Sequence, residues 1–249
     1  MWSSSAVLLL YIRFKNDPDF MKKLLIVALI LLMAAAACKK NSDTAIPVTQ
    51  SSFMFFNGVP EAVYDIRLDS FSMATGVAFG KNTPYQTFRA QLYTIYLIDQ
   101  RFPNDTIRVG QINLRNKRSF SSYIGFDSAN KVRVFRTIED DLTPPPPLNM
   151  KFRVVDFSEA YRFNGTSVGI DVFSQNDRIF RGIGFTQFTP FVNLPGDSTY
   201  QLNFPRTDSN SIIPNRLPFP VQTGKIYTLV TVGNAMSSET FKTFTITNN

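Results

Sequence analysis

The side chains that could carry chemistry are few, and their spacing limits what they can do. The chain has no histidine and one cysteine, Cys38, which removes Ser-His-Asp and Cys-His catalysis, histidine-ligated zinc and the commonest general base. Carboxylates remain. A pair of them can hydrolyse a glycosidic bond, and Asp65 and Asp171 recur in matching contexts. They occupy equivalent places in two separate copies of one pattern, so each is expected to bond a turn amide instead of facing the other across a substrate. Glu139-Asp140-Asp141 offers oxygen ligands of the kind Ca²⁺ takes. Three consecutive side chains on an extended segment do not point one way, however, and a solvated acidic linker is expected. Arg115, Lys117 and Arg118 could touch lipid phosphate or polysaccharide, but read more simply as a solvated strand end. Tyr85, Phe88, Tyr93 and Tyr96 could form a platform for a sugar ring, but core packing accounts for such residues in a chain with 24 Phe and 9 Tyr. No metal or cofactor is expected, and the protein is expected not to be an enzyme.

The elements that hold these residues read as β-strands. Phe, Tyr, Val, Ile and Thr fit a pleated, half-buried surface, and no amphipathic helix of useful length interrupts them. In the first half, strands are expected at 53–56, 63–68, 77–79, 91–98, 106–114, 119–126 and 131–137. Asn57-Gly58, Lys81-Asn82, Pro103-Asn104 and residues 127–130 mark turns between them. In the second half they are expected at 150–155, 168–174, 178–184, 199–204, 217–221, 226–232 and 241–247. An ungapped repeat joins the halves: residues 65–85 lie over residues 171–191, with Asp65/Asp171, Gly76/Gly182, Phe79/Phe185, Thr83/Thr189 and Pro84/Pro190 identical and Tyr85/Phe191 similar. Between the halves, Pro144–Pro147 enforce an extended chain without backbone donors. The fold class expected is all-β, with two tandem antiparallel β-sandwiches at 51–142 and 150–249 joined by a Pro-rich linker at 143–149.

The N-terminus decides location. Lys22 and Lys23 precede an apolar run from Leu24 to Met33, and alanines lead into Cys38. Such a run is too short for a hydrocarbon core that needs roughly 20 helical residues, so it reads as a secretion signal with a small-residue cleavage site. Cysteine directly after Ala35-Ala36-Ala37 resembles the lipobox of bacterial lipoproteins, whose cysteine is acylated and becomes the first mature residue. Residues 1–37 are then an upstream extension and signal peptide, and residues 38–50 a lipidated cysteine and flexible tether. Acyl chains at about 0.8 kcal/mol per buried CH₂ hold a protein on a membrane. Of the 26 basic and 19 acidic residues, four and two precede Cys38, which leaves 22 against 17, a net of +5; that charge suits an anionic envelope surface or nothing specific, and an exported protein meets no nucleic acid.

Two further resemblances follow. Asp140-Asp141-Leu142, a proline, and then Lys151-Phe152-Arg153-Val154-Val155-Asp156-Phe157-Ser158 resemble the junction between tandem copies of domain of unknown function 4397. Residues 224–233, GKIYTLVTVG, are similar to that family's late strand, and residues 168–172, VGIDV, to its early one. The resemblance implies an immunoglobulin-like sandwich on lipoproteins, commonly of Bacteroidetes, without an assigned activity. Separately, Asp43-Thr44-Ala45, Asp105-Thr106-Ile107, Asp127-Ser128-Ala129 and Asp197-Ser198-Thr199 resemble the O-glycosylation site of Bacteroidetes envelope proteins, which nominates Thr44, Thr106, Ser128 and Ser198. The function expected is binding or scaffolding on the outer membrane, anchored through Cys38, with an envelope protein or glycan as partner. The alternatives are a glycan-binding lipoprotein of a polysaccharide-capture system and a surface-fibre subunit with 241–247 as its exchangeable strand.

Overall fold

The computed structural model describes residues 22, 25–29, 49–162, 164–207 and 217–249. Residues 25–29 are helical and belong to a unit spanning Met1–Val48; all the strands lie in a second unit, Thr49–Asn249. Among the described residues no helix is long and apolar enough to cross a membrane.

Among the described residues the second unit has sixteen strands. They are β1 (Gln50–Asn57), β2 (Val63–Leu68), β3 (Phe71–Ala78), β4 (Gln86–Arg89), β5 (Leu92–Asp99), β6 (Thr106–Asn113), β7 (Ser119–Asp127), β8 (Val132–Asp140), β9 (Asn149–Glu159), β10 (Ile170–Ser174), β11 (Asp177–Ile183), β12 (Val192–Pro195), β13 (Ser198–Asn203), β14 (Leu217–Val221), β15 (Ile226–Asn234) and β16 (Lys242–Thr247). They form four four-stranded sheets: sheet I in the order β4-β1-β7-β8, sheet II β3-β2-β5-β6, sheet III β12-β9-β15-β16 and sheet IV β11-β10-β13-β14. Adding eight to each strand number turns sheets I and II into sheets III and IV, so one strand order is used twice. Both copies include one parallel pair, β1 with β7 and β9 with β15, within otherwise antiparallel sheets.

Strand alternation explains the packing. Successive residues of a strand face opposite sides, and β1 is apolar on both: Phe53 and Phe55 enter the core between sheets I and II, while Met54 and Phe56 face away from it. β9 behaves alike, with Met150, Phe152 and Val154 in the core between sheets III and IV and Val155 and Phe157 on the other face. The two outward faces meet. Met54, Phe56, Tyr123 and Ile138 of sheet I pack with Val155, Phe157, Val230, Val232 and Ile246 of sheet III as a third core. The layers therefore stack in the order II, I, III, IV, and β1 and β9 are near-continuous buried runs because both their faces are covered. Close approach needs small residues: a Cβ on Gly125 would lie 2.2 Å from the Phe157 ring.

The repeated residues hold equivalent hinges of the two copies. Asp65 Oδ1 accepts from the Gly76 amide at 2.8 Å and from Gln100 Nε2 at 2.8 Å. Asp171 Oδ1 accepts from the Gly182 amide at 2.8 Å and from Thr207 Oγ1 at 2.7 Å. Both glycines have positive φ, 68° and 62°, and both sit where an extra residue interrupts the β2–β3 or β10–β11 register, so each aspartate caps a bulge amide that only glycine turns readily. Thr83 Oγ1 likewise accepts from the Phe55 amide and Thr189 Oγ1 from the Val154 amide, both at 3.0 Å. Since Asp171 is 4% exposed and Asp65 lies in a more open setting, Asp171→Ala should cost about 1–3 kcal/mol and Asp65→Ala about half of that. Urea denaturation of the two variants checks the ranking; equal losses would contradict it.

Candidate functional site

The densest assembly of polar side chains lies between sheets I and III. Arg153, the fifth of the eleven residues of β9, is fully buried and directs its guanidinium toward sheet I. Its Nε donates to Thr228 Oγ1 at 3.0 Å, and its Nη2 donates to Tyr123 Oη at 3.1 Å, to Ser121 Oγ at 3.2 Å and to the Asp140 carboxylate. The Phe191 ring lies 4.5 Å from the guanidinium carbon, within cation–π range. Asp140, at the end of β8, also accepts from Tyr85 Oη at 2.8 Å and from Ser121 Oγ at 2.9 Å. Burial pushes the Asp140 carboxyl up, while Arg153 and the Tyr85 and Ser121 hydroxyls pull it back. Burial, with Asp140 beside it, pushes the Tyr85 phenol up as well. Tyr85 and Phe191, paired by the sequence repeat, thus approach one ion pair from the two copies. In β1 the place of Arg153 belongs to Met54, because Met54 pairs with Ser121 as Arg153 pairs with Thr228.

This arrangement corrects the expectation of a solvated acidic linker. Glu139 and Asp140 are the last residues of β8, and the three carboxylates go to three different partners. Glu139 pairs with Arg115 and, at 3.4 Å, with Arg118; Asp140 is buried against Arg153; Asp141 pairs with Lys151 at 2.9 Å. The Thr143 hydroxyl and the Lys151 ammonium lower the Asp141 carboxyl to about 2. Among the described residues no group of three metal-ligating side chains converges. The basic cluster lies at exposed strand ends between β6 and β7, as expected; Arg115 and Arg118, whose side chains are 59% and 61% exposed, pair there with Glu139. Residues 141–147 are therefore strapped to β9 through Lys151, whose Nζ also donates to Thr143 Oγ1 at 2.7 Å.

The aromatic residues considered as a sugar platform do not form one. Tyr85 packs against the third core, and Phe88 and Tyr93 join the first, meeting edge-on at 69°. Of the nominated modification sites, Cys38 and Thr44 lie outside the described residues. Thr106 is the exposed first residue of β6. Ser198 is the exposed first residue of β13 and donates its hydroxyl to the Gly196 carbonyl at 3.0 Å. Ser128 is exposed, but its amide donates to the Glu159 carboxylate at 2.5 Å and its hydroxyl donates to the same group. Strand 242–247 is an edge strand bonded to β15 alone, with Ile246 and Phe244 packed into the third core.

Arg153, Asp156 and Asp99 are buried charges outside the motifs that the sequence offers for chemistry. A signal for the first two exists: two charged residues three apart, one on each face of the otherwise apolar run of residues 152–157, FRVVDF, are unusual in a doubly buried strand.

Against models of protein families, residues 51–164 match the one described as Domain of unknown function (DUF4397). The DUF4397 match takes in the first sandwich and continues through β9, the central strand of sheet III. Among solved structures, a leucine-rich repeat protein from Bacteroides thetaiotaomicron is similar at 11% identity and a TM-score of 0.21, over 75% of this chain and 26% of that one. No curated protein matches.

Proposed function

We propose that the protein is a non-enzymatic lipoprotein of the bacterial outer membrane, anchored by acyl chains on Cys38, whose tandem sandwiches act as one rigid binding or scaffolding module. The observation that carries this reading is the polar lock between sheets I and III. Arg153, Asp140, Tyr85, Tyr123 and Thr228 spend their donors and acceptors on each other, leaving them no role toward a substrate and fixing the two sandwiches as a single body. The loops β1–β2, β5–β6 and β7–β8 then sit at the end of the first sandwich opposite to Thr49, where the chain enters. A rigid scaffold with loops gathered at one end is suited to presenting a contact surface.

O-glycosylation belongs to the same reading, with Thr44, Thr106 and Ser198 as acceptors and Ser128 disfavoured by its bonds to Glu159. One experiment tests both modifications. In a host of the Bacteroidetes type, the wild-type protein should fractionate with membranes and show an intact mass raised by lipid and sugar. Cys38→Ser should appear in the soluble fraction without the lipid increment. Wild-type protein at its unmodified mass would overturn the reading.

A further inference from the structure

At the open end of the first sandwich, two arginines converge on one buried carboxylate. Asp99, the last residue of β5, is 1% exposed. Its carboxylate accepts from Arg101 Nε at 3.0 Å and Arg101 Nη2 at 2.7 Å, and from Arg133 Nη2 at 3.0 Å. Arg101 comes from the β5–β6 loop of sheet II and Arg133 from the start of β8 in sheet I, so the clamp spans the mouth of the sandwich. One carboxylate balances one guanidinium; the second positive charge is in excess. The two side chains remain 39% and 35% exposed, so their remaining N–H groups can reach solvent. Behind them the fully buried Tyr64 hydroxyl makes no hydrogen bond of standard geometry in spite of the Arg133 guanidinium beside it. In front of them the Phe102 ring is 59% exposed and 5.8 Å from the Arg101 guanidinium carbon.

The fold does not require this cluster. The second copy closes the same end differently: where Tyr64 faces Asp99 across β2 and β5, Ile170 faces Arg206. Arg206 there donates to the Tyr161 carbonyl at 2.8 Å, and neither a carboxylate nor a tyrosine stands in the equivalent places. A clamp between the sheets also needs a single arginine, whereas here two guanidinium groups are held on one acceptor, and a guanidinium fixed in this way is pre-organised for planar, multidentate recognition.

We infer that Arg101 and Arg133 form an oxyanion-binding site that takes a phosphate, sulfate or carboxylate group, with the apolar part of the ligand lying on Phe102. The site belongs to the end of the sandwich opposite to Thr49. Glu61, exposed on the β1–β2 loop, lies within electrostatic reach of Arg101 and opposes the anion.

The test is NMR of the Arg101 and Arg133 Nε–Hε resonances in the full chain in neutral detergent. Sodium phosphate, sulfate, acetate and phenyl phosphate are titrated separately at constant ionic strength made up with chloride. Saturable shifts of both resonances are expected with at least one anion. Phenyl phosphate should bind more tightly than inorganic phosphate, and the order of the three simple anions identifies the ligand group. Arg101→Gln, which alters an exposed loop residue, should weaken binding at least tenfold with the backbone spectrum retained, and Glu61→Gln should strengthen it by severalfold. If no anion gives a saturable shift, or if Arg101→Gln leaves the response at Arg133 unchanged, the cluster is a structural clamp and the inference fails.

Discussion

The Arg153→Met variant should lose about 3–5 kcal/mol of folding free energy, the cost typical of removing one partner from a buried ion pair. The substitution is sterically reasonable, since Met54 fills the corresponding place in the first copy and both residues are long and unbranched. The loss comes from what is left behind. Asp140 keeps its Tyr85 and Ser121 bonds but no longer has a cation, and an uncompensated carboxylate between two sheets must either stay charged at high cost or take up a proton. The double variant Arg153→Met with Asp140→Asn removes both charges and should recover most of the loss, because a buried pair contributes little relative to a neutral filling of the same volume. Equilibrium denaturation of the wild type, both single variants and the double variant gives the coupling directly. A loss below about 1 kcal/mol for Arg153→Met would mean that the apolar contacts of the third core alone hold the sandwiches together.

Much of this fold is legible in the chain, and the illegible parts have physical reasons. β2 and β14 coincide with the runs read from the sequence because their alternation is clean and turn residues bound them. β4 and β12 carry no strand pattern, and they are the same strand of the two copies: four residues each, at a sheet edge and half-exposed. Such strands owe their existence to backbone pairing with β1 and β9, which no side-chain pattern announces. The aspartates are the opposite case. Their recurrence with a glycine eleven residues on marked Asp65 and Asp171 as turn-bonding residues, and both cap a bulge. What periodicity did not reveal is that the two sandwiches share a third core. The runs around Phe53–Phe56 and Met150–Val155 read as strands, but an apolar run too short to show a period does not say that its second face also needs cover. Four prolines nearby suggested a spacer, whereas Lys151 ties that segment down and β9 lies directly on β7.

Asp156→Asn should remove a large part of the pH dependence of stability. Asp156 occupies on β9 the place of Asn57 on β1: the two residues make matching backbone bonds, to Gln187 and Thr186 in one copy and to Lys81 and Gly80 in the other. Asn57 is neutral and caps the Val59 amide at 2.9 Å. Asp156 caps the Ser158 amide at 2.8 Å and accepts from the Ser158 and Thr231 hydroxyls at 2.5 and 2.6 Å, but no cation stands among those donors. Burial therefore dominates and raises its carboxyl from 3.8 to about 7. The sign follows from proton counts. Between these two values the folded protein holds a proton that the unfolded chain has released, so stability is complete below about pH 4 and is lost progressively as pH rises to about 7. The span corresponds to about 4 kcal/mol. Asparagine carries no such proton, so the variant should match the wild type within about 1 kcal/mol at pH 4 and exceed it by about 2–4 kcal/mol at pH 8. Denaturant midpoints measured across that range at constant ionic strength isolate the effect as a difference between two otherwise identical profiles. If that difference does not vary with pH, Asp156 is ionised in the folded protein throughout, and its three donors suffice to hold a buried charge.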